Sequence, residues 1–298
     1  MSAPPSRQNA AGRAYIDLQK RARETGRPTQ QLLQLYLLES FLRRLAGSQY
    51  RDRLILKGGL LLAALGDRRP TRDIDLQARQ LNNDLASTLT TIRKVASLPA
   101  DDGVVFDIAE ATAEVIREDA DYEGIRIRMP ANLATAKLRF AVDVSAGDPI
   151  DPPPQDVAMP CLLGDEVIVI LGYPLVMVLA EKLITALQRG RANTRWRDFA
   201  DVWTLSRHHD VIGDDLRAAL SAVAEHRRVE LVPLITALDG YAAVGQERWA
   251  AWWANQLLDT PIPDDFGAVL AAVEGFADQA LEGRVAGRTW IAATGVWS

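Results

Sequence analysis

Three consecutive prolines divide this chain into two halves with different periodicities. The segment Asp151-Pro152-Pro153-Pro154 can continue neither a helix nor a central strand, because proline lacks the backbone donor and fixes φ. Before it, strand-like runs alternate with helical patterns, and from Tyr173 onward the pattern is helical almost to the end. The sequence therefore predicts two domains, residues 1–155 and residues 156–298, which the chain length also favours.

The first half has the pattern of an α/β or α+β domain. Apolar positions recur at helical spacing over residues 12–46, which indicates amphipathic helical structure before the first strand. Strand-like runs follow at residues 54–57, 74–78, 104–109, 124–129 and 137–145. In the second half, helices are predicted near residues 174–189, 194–208, 213–226, 229–239, 245–258 and 263–281.

Composition limits the cellular setting. Cys161 is the single cysteine, which excludes an intramolecular disulfide framework. The N-terminal residues lack the apolar core of a secretory signal. The most apolar stretch, residues 167–180, is interrupted by Gly172 and Pro174 and is too short to span a bilayer. We therefore expect a cytoplasmic protein with no membrane partner.

The formal net charge of −5 gives the whole protein no attraction for polyanions. Any nucleic-acid partner must therefore bind to a local basic patch. Scattered surface arginines are the alternative explanation for the basic clusters in the sequence. The candidate clusters are Arg68, Arg69 and Arg72, and Arg189, Arg191, Arg195 and Arg197.

Two aspartates lie at the start of the strand predicted at residues 74–78. Side chains two apart in a strand point to the same face, so Asp73 and Asp75 converge while Ile74 and Leu76 enter the core. Adjacent carboxylates repel each other unless a cation neutralises them. A hard cation such as Mg²⁺, with substrate phosphates completing its shell, is suited to that task.

Asp143 is a third candidate metal ligand. In the strand predicted at residues 137–145 it lies on the face opposite to the apolar side chains Leu138, Phe140, Val142 and Val144. If this strand is adjacent to the one that carries Asp73 and Asp75, three carboxylates can hold two metal ions for in-line phosphoryl transfer. The alternative is a solvated aspartate on a half-exposed strand.

Three consecutive residues, Lys57, Gly58 and Gly59, lie where a short strand gives way to a helical run. Paired glycines allow the backbone to approach a phosphate at a helix N-terminus. This pattern is also that of an ordinary strand-to-helix turn, so on its own it leaves both interpretations open.

Lys182 and Asp198 are candidates in the helical half. Lys182 shares the apolar stripe of its helix, so its ammonium group either extends along apolar neighbours to solvent or neutralises a triphosphate. Asp198 is three residues from both Arg195 and Asp201. This spacing is also that of a salt-bridge ladder on a solvated helix face.

Taken together, these motifs resemble those of the AbiEii/AbiGii nucleotidyltransferase toxins, over roughly residues 12–205. The motifs are, in order, Leu56 to Gly59, Thr71 to Leu76, Asp143-Val144 with Gly147-Asp148, Ala180-Glu181-Lys182, and Asn193 to Asp201. The resemblance implies a polymerase-β-like nucleotidyltransferase core with a mixed sheet, followed by a helical C-terminal domain that contributes Lys182 and Asp198 to the site.

The resemblance also implies a function, that of the toxin in a toxin-antitoxin pair with an AbiEi-like antitoxin as partner. Related mycobacterial toxins transfer nucleotides from a nucleoside triphosphate (NTP) to the 3′ acceptor end of tRNA, which blocks translation and inhibits growth. The implied cofactor is Mg²⁺ or Mn²⁺.

By this resemblance, Asp73 and Asp75 hold the metal, while Lys57 and the two glycines contact phosphate. Lys182 neutralises the triphosphate, and Asp198 acts as a base or organises the site. Thr71 takes the position of a hydroxyl residue whose phosphorylation silences some relatives.

Two other functions remain open. The same fold could act on a protein or a small molecule as acceptor, which the acidic net charge favours. The chain could also be a catalytically silent module that binds a nucleotide or a partner. Many members of the superfamily that the chain resembles carry a serine after the two glycines. This sequence has Leu60 there, so a hydroxyl contact to phosphate is missing. Beyond about residue 206 the sequence matches no motif.

Overall fold

The computed structural model describes residues 4–65, 71–82, 84–119, 122–146, 149–254 and 262–298. The chain divides into two compact units. The first comprises Met1–Gly147 and Gln155–Gly172, and the second comprises Asp148–Pro154 and Tyr173–Ser298. This division differs from the predicted boundary after residue 155, because Gln155–Gly172 contributes two strands to the sheet of the first unit.

The first unit is built around one mixed sheet. Its helices are α1 (Ala10–Thr25), α2 (Thr29–Ala46), α3 (Gly58–Ala64) and α4 (Leu85–Ala96). Its strands are β1 (Leu54–Lys57), β2 (Ile74–Ala78), β3 (Val104–Phe106), β4 (Thr112–Asp119), β5 (Tyr122–Leu133), β6 (Ala136–Ser145), β7 (Gln155–Pro160) and β8 (Val167–Gly172).

The strand order is β3-β5-β6-β2-β1-β8-β7, and β4 also pairs with β5. β2 is parallel to β6 and β1 is parallel to β8, whereas the other pairs are antiparallel. The predicted mixed α/β architecture is therefore confirmed. β4, β7 and β8 were not predicted from the sequence.

The helical periodicity over residues 12–46 belongs to two helices, α1 and α2. α1 ends at Gly26, which has a left-handed backbone with φ +67°, and Pro28 precedes the first residue of α2. A glycine in the left-handed conformation ends a helix, and proline is tolerated at the start of a helix but not in its interior. The side chains of α2 are buried around most of its circumference, so this helix forms the centre of the first unit.

The second unit is mainly helical, as predicted. Its helices are α5 (Leu175–Arg189), α6 (Trp196–His208), α7 (Gly213–Arg227), α8 (Leu234–Ala237), α9 (Tyr241–Trp253) and α10 (Phe266–Leu281). The strands β9 (Val211–Ile212), β10 (Thr289–Ile291) and β11 (Val296–Trp297), which the sequence did not predict, form a small antiparallel sheet. None of the helices in the described ranges combines the length and apolarity needed to cross a bilayer.

An aromatic cluster fixes the start of α6 within the second unit. The rings of Trp196 and Tyr241 are stacked with centroids 5.8 Å apart, and Phe266 meets Trp196 edge-on at 5.3 Å. Phe199 packs against both Tyr241 and Phe266. Such pairs are rigid because each ring is confined by the others, so the first turn of α6, which carries Asp198, is held in place.

Candidate active site

A row of ionisable residues crosses five adjacent strands of the sheet. Lys57 on β1 is opposite Asp75 on β2, and Asp75 is opposite Asp143 on β6. Asp143 is in turn opposite Arg126 on β5, which is opposite Glu114 on β4. Directly opposed residues point to the same face of a sheet and lie close together. The row therefore places two carboxylates side by side between two cations.

The alternation predicted for β2 is observed. Ile74 and Leu76 are fully buried, whereas Asp73 and Asp75 are partly exposed. Asp73 lies one residue before β2 begins. The parallel register of β2 and β6 brings Asp143 beside Asp75. The two strands are therefore adjacent, as the predicted site with three carboxylates requires.

Gly58 provides the space that the Asp75 carboxylate occupies. β1 passes directly into α3 at this residue, with φ +68°, and a Cβ atom added there would lie 1.9 Å from Asp75 Oδ2. Any other residue would be strained in its backbone and would also clash with the carboxylate. The sequence left open whether the paired glycines approach a phosphate or form an ordinary strand-to-helix turn, and in the structure the group that approaches Gly58 closely is the Asp75 carboxylate.

Arg126 holds Asp143 with two parallel hydrogen bonds. Its Nε donates to Asp143 Oδ1 at 2.6 Å and its Nη2 donates to Oδ2, and the same Nη2 lies 3.9 Å from Asp73 Oδ2. The Asp143 side chain is 12% exposed and that of Arg126 is 29% exposed. The hydrogen bond to Asp143 raises the pKa of the Arg126 guanidinium. One guanidinium thus contacts Asp143 and lies near Asp73.

Arg126 was not among the site residues predicted from the sequence. It lies in the strand predicted at residues 124–129, and Arg126 and Arg128 share one strand face. This local pattern does not indicate which carboxylate Arg126 binds, because that depends on the pairing of β5 with β6.

Thr71 and Gln34 contact the segment that enters β2. The Thr71 hydroxyl donates to Asp73, with its oxygen 3.2 Å from the carbonyl oxygen and 3.3 Å from Oδ1. Gln34, on α2, donates through Nε2 to the carbonyl oxygens of Arg72 and Arg139, both at 3.1 Å. Gln34 therefore ties the peptide before Asp73 to the strand that carries Asp143.

A small pocket opens at this row. Its lining includes the side chains of Lys57, Asp75, Asp143 and Ser145, together with apolar residues of β4 and β6. A pocket with one lysine and two carboxylates can receive a polar ligand that presents an anionic group to the lysine and a cation or hydrogen-bond donors to the carboxylates.

The carboxylates supply oxygen donors of the kind that Mg²⁺ and Mn²⁺ prefer. Within the described ranges, no three His, Cys, Asp or Glu side chains are grouped closely enough to hold a metal ion. Asp143 is paired with Arg126, while Asp73 remains 40% exposed. Asp73 and Asp75 are therefore the residues that would hold a divalent cation while Asp143 keeps its bonds to Arg126.

A second charged cluster belongs to the second unit. Lys182 Nζ donates to Asp198 Oδ1 and to Asp201 Oδ2, each at 2.7 Å. Arg195 Nε donates to Asp198 Oδ2 at 2.8 Å. The exposed fractions of the Lys182, Asp198 and Asp201 side chains are 12%, 11% and 6%. Lys182 therefore bridges two mostly buried aspartates, and the helix face that carries them is not solvated.

Asn193 shapes the backbone just before α6. The side chain of Asn193 is buried, and its Oδ1 accepts a hydrogen bond from the Arg195 amide at 2.8 Å. Its carbonyl oxygen accepts the hydroxyl of Tyr241. Burial raises the pKa of Tyr241 to about 12, so this hydroxyl remains a donor at neutral pH. These contacts place Arg195 beside Asp198.

A comparison with protein families assigns the chain. Residues 40–272 match the family described as nucleotidyl transferase AbiEii toxin, type IV toxin-antitoxin system. The chain belongs to this family and is a nucleotidyltransferase of the toxin-antitoxin class. The matched range includes every predicted site residue, and it extends past residue 206, where the sequence offered no motif.

Comparisons with solved structures agree on the fold. A proposed nucleotidyltransferase from Helicobacter pylori aligns with a TM-score of 0.50 and 14% identity, covering 86% of this chain and 98% of that one. JHP933 from the same organism aligns with the same score and identity and is covered to 95%. At this identity the likeness concerns the fold alone. The search of curated proteins gave no match.

Proposed function

We propose that this chain transfers a nucleotide from an NTP to the 3′ acceptor end of tRNA in a reaction that requires Mg²⁺ or Mn²⁺. Such a transfer blocks aminoacylation and therefore translation and growth. The observation that carries the proposal is the row in which Asp75 and Asp143 lie side by side between Lys57 and Arg126. Membership of the AbiEii toxin family supports nucleotidyl transfer as the reaction at this row.

Asp73 and Asp75 are the residues that hold the cation in this proposal. The cation supplies positive charge against the phosphate oxygens and orients them for in-line displacement. Lys57, opposite Asp75, binds the phosphate chain together with the backbone at Gly58 and Gly59. Asp73 is partly exposed and held by Thr71, so it is accessible to a ligand and oriented at the same time.

For Lys182 and Asp198 we propose the roles that the resemblance implies, with Lys182 neutralising the triphosphate and Asp198 acting as base or organiser. The bonds from Lys182 to Asp198 and Asp201 hold its ammonium group in one position. A preorganised cation stabilises developing negative charge without being reoriented during the reaction. The Arg195 guanidinium, bound to Asp198, adds a second cation to this cluster.

The acceptor is proposed to be tRNA because the second unit has a local concentration of arginines. Arg191 and Arg197 are exposed, and Arg189 and Arg195 are half-exposed, around the turn between α5 and α6. In a chain of net charge −5, such a local patch is able to bind a phosphate backbone. Arg72 of the other predicted cluster is exposed, while Arg68 and Arg69 lie outside the described residues.

The partner is proposed to be an AbiEi-like antitoxin, and Thr71 is the proposed site of regulation by phosphorylation. The Thr71 hydroxyl contacts the Asp73 carboxylate, so a phosphate there would bring up to two negative charges next to a proposed metal ligand. We propose that the reaction takes place in the cytoplasm, where NTP and tRNA are found together.

The test is transfer of label. Purified protein is incubated with a divalent cation, total tRNA and each labelled NTP in turn, with Asp73→Ala in parallel. Label on tRNA that is lost in Asp73→Ala is the expected result, and it also identifies the nucleotide. Label on protein alone would replace tRNA with a protein acceptor, and no label with any NTP would favour a silent binding module.

A further inference from the structure

We propose that Arg126 is a positioning residue that takes the place of a second metal ion, so that the site binds one divalent cation at Asp73 and Asp75 while Asp143 serves to anchor the arginine. This inference rests on the proposed metal-dependent transfer and deepens it. It replaces the two-ion, three-carboxylate arrangement that the sequence predicted.

Arg126 pairs with Asp143 in a geometry that occupies both carboxylate oxygens. Arg126 uses Nε and Nη2 on the two oxygens of Asp143, which is the bidentate pairing in which a guanidinium matches a carboxylate. Both Asp143 oxygens are thus already bonded to a cation. A metal ion could use Asp143 only after at least one of these charge-assisted bonds had broken.

The charges along the row also favour a single divalent cation. Asp73, Asp75 and Asp143 carry three negative charges, and Lys57 and Arg126 face them with two positive charges. A single divalent cation more than balances the remaining negative charge before the nucleotide binds. A second one would face an uncompensated positive cluster at close range.

The Arg126 guanidinium lies near Asp73 as well as against Asp143. The Arg126 Nη2 atom lies 3.9 Å from Asp73 Oδ2 while it is bonded to Asp143. The guanidinium therefore lies where a second cation shared by Asp73 and Asp143 would have to bind. Because arginine stays protonated at all relevant pH values, this positive charge is permanent and needs no metal supply.

Binding of Mn²⁺ alone, followed by electron paramagnetic resonance without nucleotide or acceptor, tests the inference. Arg126→Met frees Asp143, so this variant is expected to bind Mn²⁺ at least about tenfold more tightly than the wild type, or to bind an additional ion. Adding Asp143→Asn to Arg126→Met is expected to abolish the gain. Wild-type binding curves in Arg126→Met would overturn the proposal.

Arg128→Met is the matched control. Arg128 lies two residues along the same strand face and pairs with Glu114 instead of a site carboxylate. Its removal is expected to leave Mn²⁺ binding unchanged. A gain in Arg128→Met equal to that in Arg126→Met would show a general charge effect and would contradict the specific role.

The single variant Asp143→Asn keeps the test decisive if Arg126→Met fails to fold. The proposal expects Asp143→Asn to weaken Mn²⁺ binding far less than Asp75→Asn, which is expected to abolish binding. Equal losses in both variants would show that Asp143 is a metal ligand and would overturn the proposal. The proposed function fails separately, through absence of label transfer by the wild type.

Discussion

Asp75 and Asp143 are directly opposite each other on the adjacent parallel strands β2 and β6. They come from distant parts of the chain and share one face of the sheet, with Lys57 on one side and Arg126 on the other. The register of four strands therefore builds the site, and the functional consequences depend on that register being kept.

Gly58→Ala is expected to damage the site more than an equivalent change elsewhere. Both Gly58 and Gly26 have a left-handed backbone, but a Cβ at Gly58 would strike Asp75, whereas nothing lies within 4 Å at Gly26. The strain costs about 1–2 kcal/mol at either position, and displacing Asp75 is expected to slow transfer by roughly a hundredfold. Denaturant unfolding and label transfer on both alanine variants test this, and equal activity in the two would contradict it.

Lys182→Met is expected to destabilise the protein strongly. It leaves the mostly buried carboxylates of Asp198 and Asp201 without their shared cation, which costs about 3–5 kcal/mol. Lys20→Met is the matched control, because Lys20 forms an exposed pair with Glu24 on α1 and its loss is worth roughly 0.5 kcal/mol or less. A similar, small loss of unfolding free energy in both variants would refute the structural role of Lys182.

The fold was predictable from the sequence where a strand is short, apolar and bounded by turn signals. β1 and β2 were predicted at their observed bounds, Leu54–Lys57 and Ile74–Ala78. β8 was not, because Val167–Gly172 runs into the apolar start of α5 and forms one stretch in the sequence. β9 and β10 are two and three residues long and pair across more than seventy residues, so no local pattern marks them.

The candidate site divides in the same way. The spacing of Asp73 and Asp75 is local, and their alternation with buried residues followed from it. The double bond from Arg126 to Asp143 depends on the pairing of β5 with β6, which no single motif specifies. The bridge from Lys182 to Asp198 and Asp201 likewise requires the packing of α5 against α6.

Asp198→Asn and Asp201→Asn separate stability from catalysis. Each removes one charged partner of Lys182 at 2.7 Å, so both are expected to lower the unfolding free energy by a comparable 1–3 kcal/mol or so. If Asp198 acts as a base, only Asp198→Asn is expected to slow label transfer at saturating NTP, by roughly a hundredfold or more. Equal rates for the two folded variants would count against a catalytic Asp198.

Alkylation of Cys161 is expected to require a higher pH in the folded protein than in the unfolded chain. Burial raises the pKa of the Cys161 thiol, and only the thiolate reacts. As pH rises, the thiolate therefore forms at a higher pH in the folded protein than in the unfolded chain. Because Cys161 is the single cysteine, the pH midpoint of the iodoacetamide rate can be compared directly with that of the urea-unfolded chain. A folded midpoint at or below the unfolded one would be inconsistent with this environment.

The most direct test of the account compares label transfer by Asp75→Asn and Asp156→Asn with that of the wild type. Asp156 is an exposed aspartate on β7, the edge strand of the same sheet, and its side chain pairs with Arg51. Asp156→Asn therefore controls for the loss of one carboxylate. The account predicts a loss of at least roughly a hundredfold in Asp75→Asn and wild-type transfer in Asp156→Asn. Transfer at the wild-type rate by folded Asp75→Asn would contradict the claim that the strand row is the active site.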